Sequence, residues 1–250
     1  MAINHFAYLV ILFTFIQISS ALAACEDPPA RGVIWADCDK RGENLQGVNL
    51  SGAILTRSDF SNANLSSAKL SNADLNFSNL ESTNLSNARL DNARLLNAKM
   101  KNSILKNANL NNAKLDRATL ENANLNSAQM DNTSFYQASL VNADLRNAKL
   151  KNANLSQALL NNANLSESDL TKANLEQATL ENSILKNSIM IEINLDKANL
   201  LFADLSNSDM TEARLIEANI NETNFKNTKL GKARWIDYRR CKKESIGSCQ

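Results

Sequence analysis

The stretch Ala63-Asn64-Leu65-Ser66-Ser67-Ala68-Lys69-Leu70-Ser71-Asn72-Ala73-Asp74-Leu75-Asn76-Phe77 holds three five-residue units in one register: small, polar, Leu, then two variable positions. Read outward from it, every position divisible by five from Leu45 to Trp235 is apolar, 39 in succession. Thirty are Leu; the others are Phe60, Met100, Met130, Phe135, Met190, Met210, Ile220, Phe225 and Trp235. Two residues before each, from position 48 to position 233, stands Ala, Ser or Thr in 36 of 38 cases, with Val48 and Ile193 the exceptions. Repetition at one fixed period marks a solenoid, in which each unit buries its apolar face against its neighbours.

A period of five fits neither standard element. Five steps of an α-helix rotate about 140°, so the Leu side chains would spiral around the whole surface and bury no face. Five steps along a straight strand reverse the side, so successive Leu would alternate between faces. The chain must therefore turn once per repeat, with Leu and the small residue two before it pointing inward and the other three positions facing water. Gly and Pro, the usual turn formers, are absent between Gly52 and Gly231. Asn takes their place, at Asn87, Asn92, Asn97, Asn102, Asn107 and Asn112 among others, because its short amide tolerates left-handed backbone better than most side chains.

Period five does not by itself fix the number of sides per coil. The pattern A-(D/N)-L-x-x, as in Ala63-Asn64-Leu65-Ser66-Ser67 and Ala73-Asp74-Leu75-Asn76-Phe77, resembles the pentapeptide-repeat family. The resemblance implies an all-β fold, a right-handed quadrilateral β-helix with four repeats per coil. For residues 43–235 that is about ten coils and a rod of about 45 Å at ~4.8 Å per coil. Four Leu-type residues would fill each level, and the small residue fits an inner wall that a larger one would overpack.

Outside the repeats, residues 1–24 read as an export signal: Phe6 to Ile18 is almost unbroken apolar sequence, too short to span a bilayer comfortably, and it leads into Ser19-Ser20-Ala21-Leu22-Ala23-Ala24. Residues 25–42 read as an N-terminal cap and 236–250 as a C-terminal cap. The four cysteines fall in these flanks as local pairs, Cys25 with Cys38 and Cys241 with Cys249, which suggests two disulfides in an oxidising compartment. Leu22-Ala23-Ala24-Cys25 also resembles a bacterial lipobox; lipidation of Cys25 would anchor the chain to a membrane and leave Cys38 unpaired. Both flanks resemble those of exported bacterial members of the family, with V-x-W-x-x-C ahead of the repeats and S-I-G-x-C behind them. The expected location is the bacterial periplasm or the extracellular space.

Nothing in the sequence points to catalysis. Past residue 5 there is no His, and there is no glycine-rich phosphate loop and no CxxC spacing; no metal, cofactor or catalytic residue is assigned. Formal charge is +1, from 27 basic and 26 acidic residues, so no overall field draws in nucleic acid. Asp116, Glu176 and Asp196 would stack along one side of the rod as solvated repeat positions. The basic cluster Arg239, Arg240, Lys242 and Lys243 reads as a solvated cap. The strongest interruption is Ile189-Met190-Ile191-Glu192-Ile193 followed by Leu201-Phe202. It marks a local distortion or bulge, or a contact patch formed by Ile189, Ile191, Ile193, Leu201 and Phe202. The expectation is thus a non-enzymatic, exported, monomeric scaffold for an unknown protein partner. Two alternatives are a secreted effector and a DNA-mimicking inhibitor of a topoisomerase. Some members of the family protect gyrase with an acidic, duplex-sized rod, but neutral charge and an export signal oppose that reading here.

Overall fold

The computed structural model describes residues 24–250; the export segment expected over 1–24 lies outside it except for Ala24. Parallel β-bridges join each residue before an inward position to the residue 20 further on, from Ile34 with Ile54 to Arg214 with Arg234. One coil is therefore 20 residues, four repeats, and the cross-section is a square. We number the faces by their outward bridging residues: face 1 through Ile54 and Asp74, face 2 through Asp59 and Asn79, face 3 through Asn64 and Asn84, face 4 through Lys69 and Arg89.

The repeat Ala53–Arg57 shows how the backbone is satisfied. The Ala53 N–H closes a turn onto Leu50 O at 3.0 Å, Ile54 N–H reaches back one coil to Val33 O at 2.9 Å, and Leu55 and Arg57 reach forward to Asp74 O at 2.7 Å and Asn76 O at 3.0 Å. The second residue after each inward one has positive φ at every repeat from Gly32 to Lys232. With the i+3 to i hydrogen bond this is the pattern of a type II turn, which demands a left-handed residue at its third position. Half of the non-glycine residues there are Asn; the rest include Phe77 and Phe202 (φ 60° and 58°), held in a conformation that costs a side chain bearing Cβ about 1–2 kcal/mol.

Inside, the Leu and Ala columns are closed to solvent: Leu50 to Leu215 at the inward positions are all 0 % exposed. Ten Ser and Thr side chains on the inner wall return their hydroxyls to the backbone, among them Ser78 Oγ to Leu75 O and Thr83 Oγ1 to Phe60 O, both 2.7 Å. Ser103 Oγ is buried without a partner among the described residues.

The coil register runs upstream of residue 43. Gly32, Asp37 and Gly42 already have positive φ, Ile34 and Asp39 bridge to the next coil, and Trp35 is fully buried. The segment with two Pro and a Trp does not look like the repeat, yet its Val33, Trp35 and Cys38 occupy inward positions. Residues 24–26 make a helical turn above this coil, tied down by the Cys25–Cys38 disulfide and by Trp35 Nε1 donating to Asp27 O at 3.1 Å. At the other end the chain reverses after Trp235 and returns antiparallel, Arg240 against Arg234 and Ile246 against Lys229. The Cys241–Cys249 disulfide closes this return. Gly231 is required beneath it, since a Cβ there would lie 2.6 Å from Lys243 O.

Candidate functional site

With the interior filled, the described residues enclose no pocket, and any site has to be built from the outward positions. Four of the five N–H groups in each repeat are taken by backbone. The fifth, on the residue after the inward one, is taken by a side chain wherever a suitable Asn or Asp stands nearby. The Asn or Asp just before the inward residue accepts it, as in Ser66 N to Asn64 Oδ1 (3.1 Å), Arg146 N to Asp144 Oδ1 (3.1 Å) and Glu176 N to Asn174 Oδ1 (3.1 Å). In some repeats the acceptor sits one coil earlier, as in Leu96 N to Asn76 Oδ1 (2.9 Å) and Asp131 N to Asn111 Oδ1 (2.8 Å). The D/N of A-(D/N)-L-x-x is thus a backbone acceptor, the same device as an Asx turn. Its signal is the recurrence of Asx at that position.

The acids expected to stack do share one corner. Asp116 Oδ1 accepts Tyr136 N at 3.2 Å, and Asp196 Oδ1 accepts Ile216 N at 2.9 Å while its other oxygen binds Arg214. Both are backbone acceptors rather than a reacting pair. Amide ladders run between coils, with Asn122 Nδ2 to Asn102 Oδ1 at 3.2 Å and Gln137 Nε2 to Gln157 Oε1 at 2.8 Å. Ion pairs do the same, Lys232 to Glu212 at 3.0 Å and Lys229 to Asp209 at 3.2 Å. Thirteen of the 27 Lys and Arg are paired with carboxylates, within a repeat or between coils.

Four aspartates held by such contacts, Asp39, Asp144, Asp169 and Asp209, titrate low. The Arg41 side chain, then its N–H, holds Asp39 down to about 2, and the Arg146 guanidinium holds Asp144 below the usual range. For Asp169 and Asp209 partial burial raises the carboxyl, but the hydroxyl and N–H of Thr171 or Thr211, with Lys151 or Lys229, outweigh it and the net shift is downward.

The five residues proposed as a contact patch do not meet. Ile189 lies on face 4 and Ile191 at the corner after it, whereas Leu201 and Phe202 occupy the diagonally opposite corner, between faces 2 and 3. Ile193 points inward and is fully buried. It displaces nothing, because the inner-wall neighbours one coil away on either side are Ala173 and Ala213. The bulge expected here is absent too: the bridges Ile189 with Asp209 and Asn194 with Arg214 keep register, and Glu192 keeps its positive φ. Of the site residues read from sequence, only the cysteines come together, Cys25 with Cys38 and Cys241 with Cys249.

Comparison with known proteins agrees with this architecture. A search of curated protein sequences finds no match. Among solved structures, HetL of the cyanobacterium Nostoc sp. strain PCC 7120, a pentapeptide repeat protein involved in heterocyst differentiation regulation, is 28% identical. It aligns over 90% of this chain and 98% of its own with a TM-score of 0.77. A trypsin-treated form of QnrB1, a plasmid-mediated fluoroquinolone resistance protein, is 23% identical over 73% of this chain and 86% of its own, with a TM-score of 0.43. The family model for pentapeptide repeats matches overlapping stretches that together run from residue 44 to residue 231. With coils of four five-residue repeats and a Leu-filled interior, the chain belongs to the pentapeptide-repeat family.

Proposed function

We propose that this rod is exported and works in the bacterial periplasm or outside the cell, as a non-enzymatic scaffold that presents its outward positions to a protein partner. The observation that carries the reading is the pair of disulfides, one closing each end. Small terminal loops stapled in this way suit an oxidising compartment, and the apolar segment ahead of Cys25 supplies a route to it. The scaffold role is supported by how side chains are used: apolar ones fill the interior, and carboxylates and amides hold the backbone or each other. No helix among the described residues is long and apolar enough to cross a membrane.

Fractionation of expressing cells tests the export, together with intact mass before and after alkylation under non-reducing conditions. The expected result is extracytoplasmic protein with no alkylatable thiol. Cytoplasmic protein with four free thiols would overturn it, and a diacylglycerol mass would replace the soluble form by a lipoprotein. A gyrase supercoiling assay with purified protein separates the DNA-mimic alternative: the scaffold reading predicts no inhibition.

A further inference from the structure

The two disulfides close the rod in different ways. At the N-terminal end Cys38 belongs to a coil that the backbone already holds: Trp35 N donates to Ile54 O at 2.8 Å, and Cys38 O accepts Asp59 N at 2.9 Å. The Trp35 ring is fully buried in that coil. The Cys25–Cys38 bond ties down only the turn ahead of it. At the C-terminal end both cysteines lie in the return itself, residues 237–250, outside the repeat register.

Few contacts besides the disulfide hold this return. Its backbone meets faces 1 and 4 through Leu230 N to Ser245 O, Cys241 N to Ala233 O and Gly247 N to Thr228 O, each 2.9 Å, and through Lys232 N to Lys242 O at 3.4 Å, with Trp235 N to Arg239 O at the reversal. Side chains add the Tyr238 hydroxyl to Glu217 and Arg240 Nε to Lys232 O at 3.4 Å. The apolar side chains of the return are Tyr238, Cys241, Ile246 and Cys249. Tyr238 and Ile246 are 64% and 58% exposed, so the two half-cystines alone pack on the core. Other features oppose docking. Arg240 bridges directly opposite Arg234, where like charges repel, and the reversal holds Tyr238 at φ 67°, unfavourable for a residue with Cβ.

We propose that the return is a redox-controlled latch, closed over faces 1 and 4 while Cys241 and Cys249 are joined and released when they are reduced. The crosslink removes freedom that the tail would otherwise lose on docking. Release uncovers Leu230 and Ala233, both fully buried in the closed form, and Trp235. It also frees the backbone edge of faces 1 and 4. That edge then joins faces 2 and 3, where the N–H groups of Ile220, Glu222, Phe225 and Asn227 have no acceptor among the described residues. A whole coil edge is then unpaired, a surface that recruits other strands.

The step is thiol–disulfide exchange with a dithiol reductant. A thiolate of the reductant attacks Sγ of Cys249, the less buried of the two residues. The S–S bond breaks, and its electron pair leaves on Cys241 Sγ, which takes up a proton. The second thiol of the reductant, deprotonated, attacks the mixed disulfide and expels Cys249 as a thiolate that is protonated in turn. The reductant departs as a disulfide, two electrons poorer. A chain reduced in the cytoplasm is therefore open at this end and closes on reaching an oxidising compartment, but the latch itself does not depend on export.

Residue-resolved amide hydrogen exchange on the purified protein, with and without dithiothreitol, tests the latch. On reduction the amides of Leu230, Cys241 and Gly247 should exchange about ten-fold faster or more. Leu125, whose N–H donates to Asp144 O in mid-rod, should not change. The double variant Cys241→Ser, Cys249→Ser should show the fast rates without reductant and no further response. The variant Cys25→Ser, Cys38→Ser should keep the wild-type response. Equal protection of the three amides in the reduced protein would mean that the return docks unaided. Acceleration that reaches Leu125 would make the disulfide a support of the whole rod. Either result overturns the latch, whereas a cytoplasmic location would overturn the export reading and leave the latch standing.

Discussion

Asn122 decides whether the corner asparagines serve backbone geometry or side-chain ladders. Its φ is 57°, and its Nδ2 donates to Asn102 Oδ1 at 3.2 Å on an exposed corner. The left-handed conformation costs a residue with an ordinary Cβ about 1–2 kcal/mol, and Asn escapes part of that. An exposed amide bond contributes at most about 0.5 kcal/mol. Asn122→Ala should therefore lose about 1 kcal/mol and Asn122→Val about 2 kcal/mol, because a branched Cβ crowds this region further. Asn122→Gly removes the same ladder bond but relieves the backbone, at an entropic cost of about 0.5–1 kcal/mol, and should stay within about 0.5 kcal/mol of wild type. Substituting Asn102, Asn122, Asn142 and Asn162 together enlarges the contrast, to about 4 kcal/mol for four Ala against about 1 kcal/mol for four Gly, since stability accumulates coil by coil. The assay is urea unfolding followed by circular dichroism, with the slope checked for constancy. If Gly destabilises as much as Ala, the ladder and not the turn is what Asn supplies, and the geometric argument fails.

Other perturbations follow from the same structure. Leu125→Ala, at a fully buried position in mid-rod, should cost about 2–5 kcal/mol in urea unfolding, since the narrow interior has little room to collapse around the hole. Gly231→Ala forces a Cβ against Lys243 O and should loosen the C-terminal return, seen as faster hydrogen exchange at Leu230 and Cys241 while mid-rod amides stay protected. Ser103→Ala removes a buried hydroxyl that lacks a partner and should be neutral or stabilising, whereas Ser78→Ala, which loses the bond to Leu75 O, should cost about 0.5–1.5 kcal/mol. For Asp144, Asp169 and Asp209 the folded carboxyl titrates below its unfolded value of about 3.9. Their contribution is therefore complete above about pH 4 and is lost as pH falls through the folded values, so the urea midpoint should decline on acidification only below about pH 4.

The interior was legible because it obeys one rule with few departures. A Leu at every fifth position leaves a single economical arrangement, and even Ile193, the worst violation, fits where Ala173 and Ala213 leave room. The ends were less legible because their inward residues are not Leu. Trp35 and Cys38 occupy inward sites in a segment whose composition reads as irregular, and Gly32 and Gly42 supply left-handed corners that Asn supplies later. The contact patch failed for a geometric reason. Residues ten apart in sequence sit half a coil apart, so Ile191 and Leu201 fall on opposite corners; surface neighbours in this fold are 20 apart, or within one repeat.

That spacing also governs where recognition can occur. A substitution on the outer surface has two stacked neighbours, and at several places those neighbours already pair with one another: Asp209 with Lys229, Glu212 with Lys232, Asn102 with Asn122. A ligand on a face has to compete with pairs that already satisfy each other in water, where exposed ion pairs contribute little and yield little when broken. At the rod's C-terminal end the N–H groups of Ile220, Glu222, Phe225 and Asn227 have no acceptor among the described residues and the Phe225 ring is covered in part by Trp235, so these groups gain most from further burial.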